Sequence, residues 1–237
     1  MKVVMSNKAI ITSIAALLLA ASSMASEQQP PSSPVKSFLM VPITEPTDYQ
    51  IRNFNYTPPA SYQRRTLNQI IKKIDPKLGD QLQKHIVAKL ANAGLMEISG
   101  ADIRVDPENP GKIDYKSIKQ NTDLIVHVYL DGLGVISTST SSGATPYQNE
   151  NSNFVPFVFV SYCIVPPQRG SGCQLENSGV YGNRTMRDAK LEYRSSPSET
   201  WSRFADIEAF PQSVIDSIAN GSLKLGSDIA DEIIGLK

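Results

Sequence analysis

Two periodicities organise the apolar positions of this chain. In "TLNQIIKKI", Thr66 to Ile74, apolar residues fall at Leu67, Ile70, Ile71 and Ile74, which is the i, i+3, i+4, i+7 pattern of one helical face. Thr66 with Gln69 three residues later matches a capping box and predicts the start of that helix. Asp75-Pro76 offers an N-cap followed by a first-turn proline. Leu78, Leu82, Ile86 and Leu90 then recur every four residues up to Gly94, where a left-handed C-cap is expected. The last helix is predicted from Phe210-Pro211 onward, with Ile215, Ile218, Leu225, Ile229 and Ile233 on one face. It runs through Gly221 and Gly226, each costing roughly 1 kcal/mol in a helix interior. Tight packing must therefore compensate; a break at Asn220-Gly221 is the alternative.

Strand patterns fill the intervals. Lys36 to Ile43, "KSFLMVPI", reads as the first strand, and Leu95 to Ile98 as a short one, with Ile103 to Val105 as a further piece. After an "NPGK" turn, Asp114 is expected to cap a brief helix through Gln120. Asp123 leads into "LIVHVYLDGLGVIS", whose nearly continuous apolar start predicts a central strand buried on both faces. Phe154 to Val165 and Cys173 to Tyr181 read as a hairpin, and Ala189 to Arg194 as an edge strand. Thr47 to Arg65 is expected to be irregular, and Ser137 to Asn153 to be a polar, low-complexity loop projecting from one end of the sheet.

The N-terminus changes the setting. A charged start, an apolar run from Ala9 to Ala21 and small residues before position 26 make a secretory signal peptide, with cleavage expected after Ala25. That run is shorter than the ~20 residues of a membrane span. Residues 26 to 35 are a polar, proline-rich leader, and residues 36 to 237 are expected to form a single α/β domain. Localisation is therefore expected to be periplasmic or secreted, with no membrane span in the mature chain. Lys+Arg and Asp+Glu both number 23, a balance that offers no electrostatic attraction to nucleic acid. The run Arg184, Arg187, Lys190, Arg194, Arg203 is interleaved with Asp188, Glu192 and Glu199, as on a solvated face.

Candidate chemistry is sparse. The two cysteines, Cys163 and Cys173, flank a segment with Pro166, Pro167, Gly170 and Gly172. In an oxidising compartment this spacing favours a disulfide closing the hairpin loop over a metal or redox site. The two histidines, His85 and His127, lie far apart and bring no second ligand or triad partner in sequence, so His127 reads as a core imidazole. Asp228 and the Asp231-Glu232 pair read as the wet face of the last helix. No phosphate loop, dinucleotide fingerprint, zinc-protease helix or nucleophile elbow occurs. No catalytic residue, cofactor or metal is expected. Tyr49, Phe54, Tyr56 and Tyr62, with Tyr147 in the polar loop, are the residues offered for partner binding.

The order of elements around "LANAGLMEI", "DYKSIKQ" and "TDLIVHVYLDG", spanning Pro76 to Ser137, resembles exported α/β modules of bacterial envelopes, namely the curli secretion-channel family and the N-terminal domain of the TolB translocation protein. The resemblance implies a fold and an envelope location, and carries over no functional residue. The expected architecture is an α/β sandwich with a mixed sheet of five or six strands and amphipathic helices mainly on one face. The expected function is a non-catalytic exported module that binds or helps assemble another cell-envelope component, through loop 137–153 and segment 49–62. A small-ligand carrier, or an exported hydrolase dependent on His127, is the alternative.

Overall fold

The structure is a computed structural model that describes residues 34–46, 49–53, 61–100, 102–106, 109, 113–115, 118–137, 153–166, 177–182 and 189–236. In its sheet β1 (Ser37–Met40) is paired in parallel on one side with β3 (Met96–Ile98), at the edge, and on the other with β4 (Leu124–Ser137). The sheet continues antiparallel through β5 (Phe154–Val165) and β6 (Asn177–Tyr181), then parallel to β7 (Leu191–Tyr193). A short β2 (Gln50–Asn53) pairs in parallel with the far half of β4, following an isolated bridge from Thr44 to Tyr129. Thus β1 and β2 run in succession along the same side of β4. The architecture is the expected mixed-sheet α/β sandwich, and β2 is the strand that its polar sequence concealed.

Helices α1 (Ser61–Ile71), α2 (Leu78–Asn92) and α4 (Pro211–Ile234) cover one face, with the one-and-a-half-turn α3 (Phe204–Ala209) leading into α4. The predicted stripes Leu67, Ile70, Ile71 and Leu78, Leu82, Ile86, Leu90 are buried against Phe38, Met40 and Val126 in the main core. Along β4 the core-facing set is Leu124, Val126, Val128 and Leu130, then Leu133 and Val135. The parity changes because Asp131 is an extra residue in the ladder between Leu130↔Val160 and Gly132↔Phe159. Such a bulge shifts the inward set by one position without breaking the strand. The opposite face carries Ile125 and Cys163 in one cluster and Ile136, Val155, Phe157 and Val180 in another, so β4 is buried on both sides as predicted.

Helix α4 is continuous, and the cause is close approach at its glycines. A Cβ on Gly221 would lie 2.5 Å from Tyr181 Cδ1, and one on Gly226 would lie 2.4 Å from Leu82 Cδ1. Gly94, with φ of 83°, ends α2 in the left-handed region where a side chain is unfavourable.

Several expectations are corrected. Thr66 sits inside α1, which begins five residues earlier, so it caps nothing. Asp75-Pro76 is a cis bond lying before α2; the helix starts at Leu78 with no side-chain cap from its own flank. Instead Glu45 Oε2 accepts the Gly79 N–H at 3.3 Å, so the orphan donor is met by a residue from beyond β1. Ile103 to Val105 form no strand, and the stretch from Asp114 shows only a single 3-10 residue, Tyr115, among the described residues. Both stretches pack Ile103, Val105, Ile113 and Ile118 onto the second face instead.

The hairpin of β5 and β6 stands, and of its predicted staple only one end lies among the described residues. Cys163 is the one cysteine among the described residues; Cys173 lies outside them, and no disulfide joins two described residues. Pairing between β5 and β6 runs only from Tyr162↔Asn177 to Val158↔Tyr181, so β6 begins four residues after Cys173 and leaves Cys163 beyond its ladder. Cys163 packs on the second face, opposite His127, with its Sγ 3.8 Å from Tyr115 Oη.

Candidate functional site at one end of the sheet

Strand register brings several chain segments to one place. Asn53, the last residue of β2, pairs with Ser137, the last of β4, and Ser137 pairs with Phe154, the first of β5. Asn53, Ser137 and Phe154 therefore lie together at one end of the sheet. Phe154 also forms a two-way bridge to Trp201, its N–H donating to Trp201 O at 2.7 Å and its carbonyl accepting from Trp201 N at 2.8 Å.

Aromatic side chains extend this end from core to solvent. Phe154 packs edge-on to Phe204 with centroids 5.8 Å apart, and Phe204 packs edge-on to Tyr62 at 6.0 Å and 89°. Phe154, Trp201 and Phe204 are buried, whereas Tyr62, in the first turn of α1, is 50% exposed. Edge-to-face pairs add roughly 0.5–1.5 kcal/mol each beyond burial, so Phe204 holds the Tyr62 ring in a set orientation. Tyr62 thus presents a half-exposed ring to solvent, packed edge-on against a buried one.

The other residues offered by the sequence fall as follows. Tyr49 is buried beside α1, its N–H donating to Asn68 Oδ1 at 3.2 Å, and burial, then Glu45, pushes its phenol up to about 12. It is a packing residue away from the exposed end. Phe54, Tyr56 and Tyr147 lie outside the described residues. Sequence reading passed over Trp201 and Phe204, although their spacing of three in "WSRF" was a helical-entry signal.

The candidate catalytic groups are otherwise engaged. His127 is fully buried, and Tyr115 Oη lies 2.6 Å from its Nδ1; burial pushes the Tyr115 phenol up to about 12. His85 Nε2 lies 2.7 Å from Ser227 Oγ, and burial, then Lys89, holds its imidazole below the ordinary value. The carboxylates of α4 are not a plain wet face. Tyr193 donates to Asp228, Tyr162 donates to Glu232 at 2.9 Å, Lys190 pairs with Glu232 and Lys89 pairs with Asp231 at 2.7 Å. They seam α4 to β5, β7 and α2. Among the described residues no group of three or more His, Cys, Asp or Glu side chains is placed to hold a metal ion. Among those residues no helix is long and apolar enough to cross a membrane.

The fold is an α/β sandwich with a half-exposed tyrosine packed on buried aromatics at one end of its sheet. No family model and no curated protein matches the chain, so membership of the curli secretion-channel family or of the TolB type is not established. Among solved structures, the chain is similar to the hypothetical protein CT253 from Chlamydia trachomatis, at 11% identity and a TM-score of 0.43, over 85% of this chain and 96% of that one. It is also similar to a neuraminyllactose-binding hemagglutinin homolog from Helicobacter pylori, at 11% identity and a TM-score of 0.34, over 90% and 94%. Lipoprotein GNA1162 from Neisseria meningitidis follows at 13% identity and a TM-score of 0.30, over 78% and 99%. Likenesses this distant transfer no function.

Proposed function

We propose that this chain is an exported, non-catalytic module that binds another protein of the cell envelope through the sheet end formed by β2, β4 and β5. The observation that carries the reading is the register Asn53↔Ser137↔Phe154 beside the exposed Tyr62 ring. It sets Asn53, which precedes the aromatic segment 54–62 in sequence, beside Ser137, which precedes the polar segment 138–152, although the two lie 84 positions apart. A half-exposed tyrosine held by a buried aromatic is the sort of low-entropy anchor that interface centres favour. Export is supported by the N-terminal pattern of charged start, short apolar run and small residues.

Deletion of residues 140–150 is expected to leave the melting temperature unchanged and to abolish co-purification of the partner from cross-linked envelope fractions. Co-purification undiminished by the deletion would remove the loop from the reading. Tyr62→Ala is expected to weaken the same capture while retaining the fold.

A further inference from the structure

We propose that the crevice at the carboxyl ends of β1 and β3 is a binding site for a compact hydroxylated amine, distinct from the aromatic end of the sheet. Chain topology favours a crevice here. After β1 the chain continues along β4 as far as β2, then passes over the helical face through α1 and α2 and returns as β3 on the other side of β1. After β3 it crosses over the opposite face, packing Ile103, Val105, Ile113 and Tyr115 against Leu39 and Ile125, and returns as β4 on the other side. The connections from β1 to β3 and from β3 to β4 thus cover opposite faces of the sheet, the arrangement beside whose strand ends ligands bind in open α/β sheets.

The cavity found at that position has a volume of about 300 Å³ and is lined by Met40, Pro42, Gln83, Glu97, Ser99 and Gly100. That is the lower end of the range for small-molecule sites. Gly100 forms its floor by close approach: a Cβ there would stand 2.7 Å from the Met40 carbonyl oxygen, which only glycine permits.

The lining selects the ligand. Glu97 is the sole charged side chain in it and is exposed, so it favours a cation and repels an anion. Gln83 commits its Oε1 to the Ile43 N–H at 3.0 Å. What it offers a ligand is therefore its NH2 donor, which calls for a hydroxyl or ether oxygen. Met40 and Pro42 supply an apolar wall for a carbon skeleton. The N-terminus of α2 nearby does not recruit a phosphate, because the Glu45 carboxylate already accepts from Gly79 N. An amine for Glu97, an oxygen for Gln83 and a small carbon frame together describe an amino alcohol or amino sugar.

The test is titration of the full mature chain with glucosamine, followed by amide chemical shifts, with glucuronate as the size-matched anion. Saturable shifts centred on residues 40–43, 83 and 97–100, absent with glucuronate and weakened about tenfold or more by Glu97→Gln, are the expected result. No saturable shift, equal binding of both sugars, or binding indifferent to Glu97→Gln would overturn the proposal. Since Glu97 is exposed, the variant keeps its fold, which the unshifted remainder of the spectrum verifies.

Discussion

Gly221 and Gly226 lie five residues apart in the same helix, yet their substitutions should differ. Alanine gains about 1 kcal/mol of helix propensity over glycine. At Gly221 the new Cβ meets three atoms of the Tyr181 ring within 3.0 Å, and that ring is anchored by its hydroxyl on Glu199 at 2.7 Å. At Gly226 the nearest atom is the terminal methyl of Leu82, which can rotate aside. Overpacking a core costs roughly 1–3 kcal/mol, so Gly221→Ala is expected to destabilise and Gly226→Ala to stay within about 1 kcal/mol of the parent. Urea denaturation of the two variants checks the order; a Gly226→Ala chain less stable than Gly221→Ala would contradict it.

Two aspartates should shape stability against pH in opposite senses. Asp123 accepts from Lys36 N, Ser37 N and Ser37 Oγ at 2.8–3.0 Å, fastening the start of β1 to the start of β4. These bonds, the one from Lys36 N first, hold its carboxyl below the ordinary 3.8 despite the opposing effect of burial. Its contribution is therefore present above the unfolded value and is lost as pH falls through the lower folded one. Asp228 is raised above 3.8, by burial first and then by Asp231, with Lys89 opposing. Its contribution is present below the unfolded value and is lost as pH rises through the folded one. Asp123→Asn should thus flatten the acid limb of the stability profile, and Asp228→Asn the limb just above 3.8. Melting temperatures across pH 2–7 (roughly the window of carboxylate titration) read both.

At the scale of elements, what the sequence made legible was whatever periodicity alone determines. The stripe Leu78, Leu82, Ile86, Leu90 and the terminal helix were readable because each buries a single face. The central strand β4 was readable from its unbroken apolar start. What escaped was set by distant partners. Strand β2, "QIRN", has no apolar alternation and exists by pairing with Gly134 to Ser137. The start of α2 is met by Glu45, so the local Asp75-Pro76 signal misled. Thr66 matched a capping box in the middle of a helix because the box is a local pattern and α1 begins at Ser61. Helix α4 is joined to the sheet by tyrosine hydroxyls on its carboxylates, so Tyr162→Phe, which strands Glu232 without that donor at 2.9 Å, is expected to cost about 1–2 kcal/mol. Chemical denaturation against the parent chain measures it, and no loss would remove the seam's role.

At the scale of the whole molecule, the aromatic segment and the polar segment were singled out separately, and the sequence held no sign that Asn53 and Ser137, in or beside them, meet in the sheet. Register supplies that link, through Asn53, Ser137 and Phe154, and Phe204 supplies the buried ring on which Tyr62 rests. Tyr49, read with them, instead serves the core beside α1. The account's central claim is that this end contacts the partner. The direct measurement is site-specific photo-crosslinking in intact cells, with the reactive residue at Tyr62 or, as the control, at Met96, an exposed residue on edge strand β3. A discrete adduct of one reproducible mass from position 62 and none from position 96 is the predicted result. No adduct from 62, or the same adduct from both positions, would contradict it.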